Sequence, residues 1–319
     1  MSTPHRLIPE LDASACVRGR LRGASCADCA LSCPAGAIMP TPSSITLAPD
    51  LCSGCGQCQG ACPAGALGAP DHPPVQGALM VLACSKVEDA DIGCAHALGL
   101  EDLARLWFQG VRQIAVATAD CGTCEDAPET RLDQRVSILN RLLTPRGLEP
   151  LRLRRARAGE ASVEGGPANP ARRRAFGHVQ PEAAGGATAL ARLQALGPAD
   201  APYAVAPEFD PQACTGCNAC IRICPEGALM LVKDAGGSLC YQVDAAACTG
   251  CALCEDCCDD NAIHLSRFVA RPAALPLVAF RCQSCGVESV APDTGRAAPD
   301  LCRICRKAPH ARTLFQTLT

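Results

Sequence analysis

The chain has 319 residues, of which 26 are cysteine, with a formal net charge of −3 and only one tryptophan, two tyrosines and six phenylalanines. Cysteine at this density implies either a disulfide scaffold or metal sites. The length, and the lack of an apolar run after the start MSTPHRLIPELD, favour thiolate-bound metal in a reducing cytoplasm. The charge gives no basis for nucleic-acid binding, and the absence of an apolar run of about 18 residues gives none for a transmembrane helix.

The first segment, 1–72, holds two related cysteine frames. "CSGCGQCQGACPAGAL" from Cys52 reads C-x2-C-x2-C-x3-C-P, placing Cys52, Cys55, Cys58 and Cys62. "CADCALSCPAGAI" supplies Cys26, Cys29 and Cys33, but Gly23 stands where the first cysteine is expected, and Cys16 is its substitute across a longer loop. Three thiolates at three-residue intervals wrap three corners of an iron–sulfur cubane, while the fourth reaches the other cluster of a pair. Soft thiolates suit iron–sulfur iron. Between the frames, "AIMPTPSSITLAPD" reads as strand, turn, strand.

Residues 75–157 change period. "ALMVLAC" reads as a buried parallel strand, "GLEDLARLWFQG" as an amphipathic helix and "VRQIAVATAD" as a second strand. "ETRLDQRVSILNRLLTPRG" follows as a second helix and "LEPLRL" as a third strand. This βαβαβ pattern predicts a small parallel α/β domain. Cys84 follows its first strand and Cys121 and Cys124 its second, with Cys94 just before the first helix. All four are expected at the carboxyl edge of the sheet, where such sheets bind ligands. A cluster or zinc could fill that crevice. His96 lies beside it, and a solvated or capping role is expected for it. No glycine-rich phosphate loop follows either strand.

Residues 158–202, rich in Ala, Gly, Pro and Arg, read as a connection with one helical run at "ATALARLQALG". The arginines of "LRLRRARAGE" and "ARRRAFG" read as solvated. Residues 203–270 repeat the paired frame. "CTGCNACIRICPEGAL" gives Cys214, Cys217, Cys220 and Cys224. "CTGCALCEDCCDDNAI" gives Cys248, Cys251, Cys254 and Cys258, with aspartate in place of the proline. Cys257 is left over, and Cys240 reads as a small buried hydrophobe. Over 275–312, Cys282, Cys285, Cys302 and Cys305 form C-x2-C-x16-C-x2-C, a zinc-ribbon frame with a closed, structural four-thiolate site. Arg303, Arg306 and Lys307 beside the second knuckle are expected to dock an acidic partner surface.

Residues 14–70 and 205–268 each resemble a bacterial two-cluster ferredoxin module. The resemblance implies that Cys16, Cys26, Cys29 and Cys62 hold one [4Fe–4S] cluster and Cys52, Cys55, Cys58 and Cys33 its neighbour. In the second module the implied sets are Cys214, Cys217, Cys220 and Cys258, then Cys248, Cys251, Cys254 and Cys224. Residues 75–157, through "LAC", "GCAHALG" and "ADCGTCED", resemble the iron–sulfur delta subunit of methyl-viologen-reducing hydrogenase. That likeness implies a [2Fe–2S] cluster at Cys84, Cys94, Cys121 and Cys124, although the family's extra cysteines after the first strand are replaced by "CSKVEDAD".

The expected fold is therefore α+β and multidomain: two dicluster ferredoxin-like domains, a small parallel α/β domain and a zinc ribbon. No nucleophile is paired with a base, so a catalytic role is not expected. The expected function is a soluble relay of single electrons through about four [4Fe–4S] clusters. Its partners would be a catalytic subunit such as a hydrogenase or formate dehydrogenase, and a ferredoxin-like carrier, in a hetero-oligomer. A redox sensor or scaffold, and an enzyme with a reactive cluster in the α/β crevice, are the rival readings. Glu255, Asp256, Asp259 and Asp260 predict that the second module is the lower-potential pair, because negative charge disfavours the added electron.

Overall fold

A frame with cysteine at every third position leaves little apolar surface, so its backbone can afford only one-turn helices. The computed structural model describes residues 8–70, 72–73, 75, 77–87, 92–127, 131–157, 160, 187–198, 200–234 and 236–307. They form two compact units, Met1–Pro202 and Tyr203–Thr319. No helix among them is long and apolar enough to cross a membrane.

The first unit begins with helices α1 (Val17–Arg20) and α2 (Asp28–Leu31). The hairpin β1 (Ile38–Pro40) and β2 (Ile45–Leu47) follows, then α3 (Gln57–Ala61). The small core here is Cys29, Ile38, Ile45, Cys58 and Leu67, so two of its five members are candidate ligands rather than packing residues. Next come β3 (Leu79–Ala83), α4 (Leu100–Phe108), β4 (Gln113–Ala117), α5 (Leu132–Leu143) and β5 (Arg152–Arg155). The strands form a parallel sheet in the order β3-β4-β5. Leu82, Leu103, Leu106, Ile114, Leu139 and Leu142 are fully buried about it, and Asp102 caps α4 by accepting the Gly99 N–H at 2.8 Å.

Two stretches differ from the sequence reading. β5 runs later than "LEPLRL" and into the arginines taken as solvated, because pairing with β4 in the register Gln113↔Arg152 outweighs side-chain polarity. A charged strand at a sheet edge also resists pairing with other chains. Arg154 is ion-paired with Glu160. Within the expected connection, helix α6 (Ala189–Gln194) packs on α4. Glu101 accepts the Ala189 and Leu190 N–H groups, Leu193 is buried, and Arg192 lies 4.6 Å over the Phe108 ring. "ARRRAFG" lies outside the described residues.

The ferredoxin-type and α/β parts of this unit meet backbone to backbone through glycine. A Cβ on Gly60 would stand 1.8 Å from the Ala97 carbonyl oxygen, and one on Gly99 would stand 2.1 Å from the Gly60 oxygen. Gly60→Ala should cost about 1–3 kcal/mol, the usual range for overpacking, read as a shift of the denaturant midpoint. A shift smaller than about 0.5 kcal/mol, the ordinary surface value, would mean the backbones do not pack this closely.

The second unit contains β6 (Tyr203–Phe209), α7 (Ala219–Ile223), β7 (Leu229–Lys233), β8 (Leu239–Val243), α8 (Leu253–Asp256) and β9 (Ile263–Val269). It continues with β10 (Leu275–Arg281), β11 (Glu288–Pro292) and α9 (Arg303–Lys307). β6 pairs with β9 antiparallel, which ties the two ends of the paired frame together. The other sheet has the order β11-β10-β8-β7. The ribbon segment thus joins the ferredoxin-type hairpin through Leu275↔Tyr241 and Pro276↔Cys240, and Cys240 is buried in that pairing.

Candidate metal centres

Three of the four frames share one backbone path. The glycine between the first two cysteines has positive φ in each: 74° at Gly54, 68° at Gly216 and 77° at Gly250. The residue after the second cysteine is also left-handed, at Gly56 (78°), Asn218 (61°) and Ala252 (61°). For alanine this conformation costs about 1–2 kcal/mol, so Ala252 is held there by its surroundings. Such turns aim successive N–H groups into one concavity, a common setting for iron–sulfur sites. The first frame departs from the path: Ala27 has φ −138°, in keeping with its missing first cysteine.

The fold makes neighbours of thiols that are distant in sequence. Burial, with the nearby Cys62, Cys26 and Cys16, pushes the Cys29 thiol up to about 12. Cys16 reaches this group because Arg18 ties its loop down, donating to the Thr41 oxygen (2.6 Å) and the Cys26 oxygen (2.7 Å). Burial likewise pushes Cys58 up to about 12, with Cys55, Cys33, Cys29 and Cys52 adding to the rise. In the second unit, burial raises Cys254, with Cys248 and Cys251 beside it, and raises Cys248 to about 11, with Cys251 and Cys224 beside it. These four thiols, with Glu226, line one recess. Burial raises Cys214, with Cys217 and Cys258 nearby, and pushes Cys220 to about 12, where Cys257 is its leading thiol neighbour. Thiols held protonated by burial must release protons to bind metal.

Cys257 and Cys258 therefore border the same group but differ in setting. The Cys258 sulfur accepts the Ala262 N–H at 3.2 Å. This repeats Cys33 with Ala37 and Cys62 with Ala66, both at 3.3 Å and the same four-residue step. The Cys257 sulfur instead donates to the Cys254 carbonyl at 3.5 Å.

Cys84, Cys94, Cys121 and Cys124 line one cleft at the carboxyl ends of β3 and β4. Gln57, buried in α3, donates to the Asp126 oxygen at 2.7 Å and to the Cys94 sulfur at 3.7 Å. Burial pushes Cys94 up to about 12, with Cys55 and Cys84 among its neighbours. The α/β cleft is thus in direct contact with the Cys52 frame. The sequence reading passed over Gln57 as a binding contact. Its signal was available: the equivalent positions in the second unit are Ala219 and Leu253, so Gln57 is a polar outlier.

His96 is 8% exposed, not solvated. It caps α5, its Nδ1 accepting the Leu132 N–H at 3.0 Å. Arg135 donates to the His96 and Leu98 carbonyls. Burial, then the nearby Arg131 and Arg135, hold the imidazole pKa below its usual value despite the opposing Asp133. Its Nε2 has no partner among the described residues, a state that costs about 1–3 kcal/mol for a buried polar group.

Cys282, Cys285, Cys302 and Cys305 bring their sulfurs within 4.8 Å of one another, and no other group of three or more His, Cys, Asp or Glu donors among the described residues does so. The Cys285 and Cys302 sulfurs are 3.8 Å apart. A tetrahedral zinc with bonds of about 2.3 Å needs sulfurs about 3.8 Å apart. The donor set and its spacing fit one ion. The wider ferredoxin-type and cleft sets fit a polynuclear group better. N–H groups of Cys302 and Cys285 hold the Cys282 thiol down at about 6.

Among the basic residues expected to dock an acidic partner, Arg303 and Lys307 instead meet aspartates of their own unit. Arg303 pairs with Asp259 and Asp260, Lys307 bonds Asp260 at 2.8 Å, and Thr215 donates to Asp260 at 2.9 Å. A Cβ on Gly216 would stand 2.0 Å from the Val290 oxygen, so the ribbon also abuts the Cys214 loop.

Residues 24–66 match the family model of the 4Fe-4S dicluster domain, and residues 206–229 match that of the 4Fe-4S binding domain. No curated protein matches the chain. The chain is an iron–sulfur, metal-binding protein with ferredoxin-type domains of the electron-transport kind, which fits an electron carrier rather than a catalyst.

Proposed function

We propose, starting from these two 4Fe-4S-type regions, that the chain is an electron-transfer subunit of a larger oxidoreductase. It would relay single electrons through four cubanes held by the crossed cysteine sets, with a further cluster in the α/β cleft and zinc in the ribbon. The observation that carries this reading is the interleaving of thiols. Cys62 stands with Cys16, Cys26 and Cys29, and Cys33 with Cys52, Cys55 and Cys58. Crossing of this kind keeps two clusters side by side. Bound clusters would supply reversible one-electron steps at sulfur-ligated iron.

The chain's own residues do the rest. Four thiolates per set leave no open position for substrate, and the buried thiols would release their protons as the metal binds. The contact of Cys94 with Gln57 and the Cys55 loop supports the cleft as a fifth station rather than an isolated site. The partner would be a hydrogenase, a formate dehydrogenase or a similar catalytic subunit, with a ferredoxin-like carrier, in the cytoplasm. The test is iron, sulfide and zinc analysis of anaerobically purified protein, coupled to a redox titration. About sixteen cubane iron atoms per chain are expected from four clusters. Zinc alone at the ferredoxin-type sites would overturn the reading.

The distribution of charge narrows the expected order of potentials. Asp259 and Asp260 are matched by Arg303 and Lys307, whereas Glu226 lies beside Cys248 and Cys251, and Glu255 beside Cys254. The lowest-potential site is therefore expected at Cys248, Cys251, Cys254 and Cys224. Glu226→Gln should raise its midpoint and leave the first unit's midpoints unchanged. An unmoved midpoint would discard this assignment.

A further inference from the structure

His96 follows Cys94 in the 3₁₀ turn Ala95–Ala97 and lines the same cleft as Cys84, Cys94, Cys121 and Cys124. Its Nδ1 accepts the backbone N–H of Leu132, the first residue of α5, at 3.0 Å. An imidazole nitrogen that accepts carries no proton, so the hydrogen of the neutral ring sits on Nε2. That N–H is buried and has no acceptor among the described residues, in a side chain more than nine-tenths buried. The tautomer is locked from outside the cleft, by the end of a twelve-residue helix. Arg135 fixes the turn itself by donating to the carbonyls of His96 and Leu98.

We infer that His96 is a positioning residue for the cleft group: its Nε2–H donates a hydrogen bond to a sulfur of the thiolate-bound cluster held there, and thereby raises that cluster's reduction potential. A donor to sulfur stabilises the reduced, more negative form, and such outer contacts tune metal groups nearly as strongly as the ligands do. The inference rests on the reading that the cleft holds a cluster.

Two substitutions separate the two ring nitrogens. Asparagine places its amide near Nδ1, so His96→Asn can still accept the Leu132 N–H but has no donor at the Nε2 position. Glutamine reaches the Nε2 position, so His96→Gln keeps a donor there and loses the Leu132 contact. The cleft signal is first assigned in the full-length holoprotein by its loss in Cys84→Ser, and its midpoint is then measured by EPR-monitored redox titration. The expected result is a more negative midpoint in His96→Asn and a near wild-type midpoint in His96→Gln, with total iron unchanged in both. The opposite pattern, or no shift in either, would show a structural cap only and overturn the inference. If wild-type protein shows no signal that Cys84→Ser removes, the cluster reading itself fails, and the inference with it.

Discussion

Cys258→Ala protein, purified without oxygen, should contain about four fewer iron atoms per chain, the content of one cubane, while Cys257→Ala protein should keep its full complement. The two residues are neighbours in sequence, and both border the thiols of Cys214, Cys217 and Cys220. Proximity alone therefore does not separate them. What separates them is the backbone hydrogen bond: Cys258 accepts the N–H four residues on, as Cys33 and Cys62 do at the corresponding places. A sulfur that receives a backbone N–H acts as an acceptor, as a ligating sulfur does. Cys257 donates its hydrogen to the Cys254 carbonyl, as a protonated thiol does. Iron lost from Cys257→Ala and kept in Cys258→Ala would reverse the assignment. Iron lost from both would mean that the spare thiol also supports the site.

Breaking the Cys282, Cys285, Cys302 and Cys305 quartet should have the largest effect on stability. Four thiolates at single-ion spacing close a segment whose other support is two short strands and one helix of five residues. Structural zinc contributes about 10–16 kcal/mol of apparent binding free energy in small zinc-binding peptides, so Cys305→Ser should unfold the knuckles outright. The expected readout is loss of about one zinc per chain, the content of a closed four-thiolate site, with faster hydrogen exchange across 282–305. A second consequence follows from the ion pairs. Arg303 and Lys307 would leave Asp259 and Asp260, exposing two carboxylates beside the Cys214 site. That cluster's midpoint should fall, and raised salt should shrink the fall because exposed charges are screened. A Cys305→Ser protein with unchanged zinc and exchange would show that the quartet is not the metal site.

The cysteine frames were legible because their chemistry is local. Three thiols on one loop need a fixed step, and glycine or a tolerant residue must fill the left-handed positions, as at Gly54, Gly216 and Gly250. The βαβαβ period and the two hairpins were legible for the same reason. Less could be read where a non-local partner decides. The third strand is expected at "LEPLRL", yet pairing with β4 carries it on into Arg154 and Arg155. Helix α6 was legible as a helical run in "ATALARLQALG", but its packing on α4 and Glu101 was not. β6 and β9 lie on opposite sides of the cysteine frames in the chain, and only their pairing joins them.

Site residues divide along the same line. The sequence by itself determined which thiols are offered as ligands and at what spacing, since both are set within a few residues. The tertiary structure decided which thiols meet, that Gln57 bridges the cleft to the Cys52 frame, and that the ribbon's arginine and lysine are spent on the chain's own aspartates. It also chose, of the solvated and capping roles open to His96, the buried cap of α5. Each of these depends on residues tens of positions apart, and periodicity carries no information about contacts at that range.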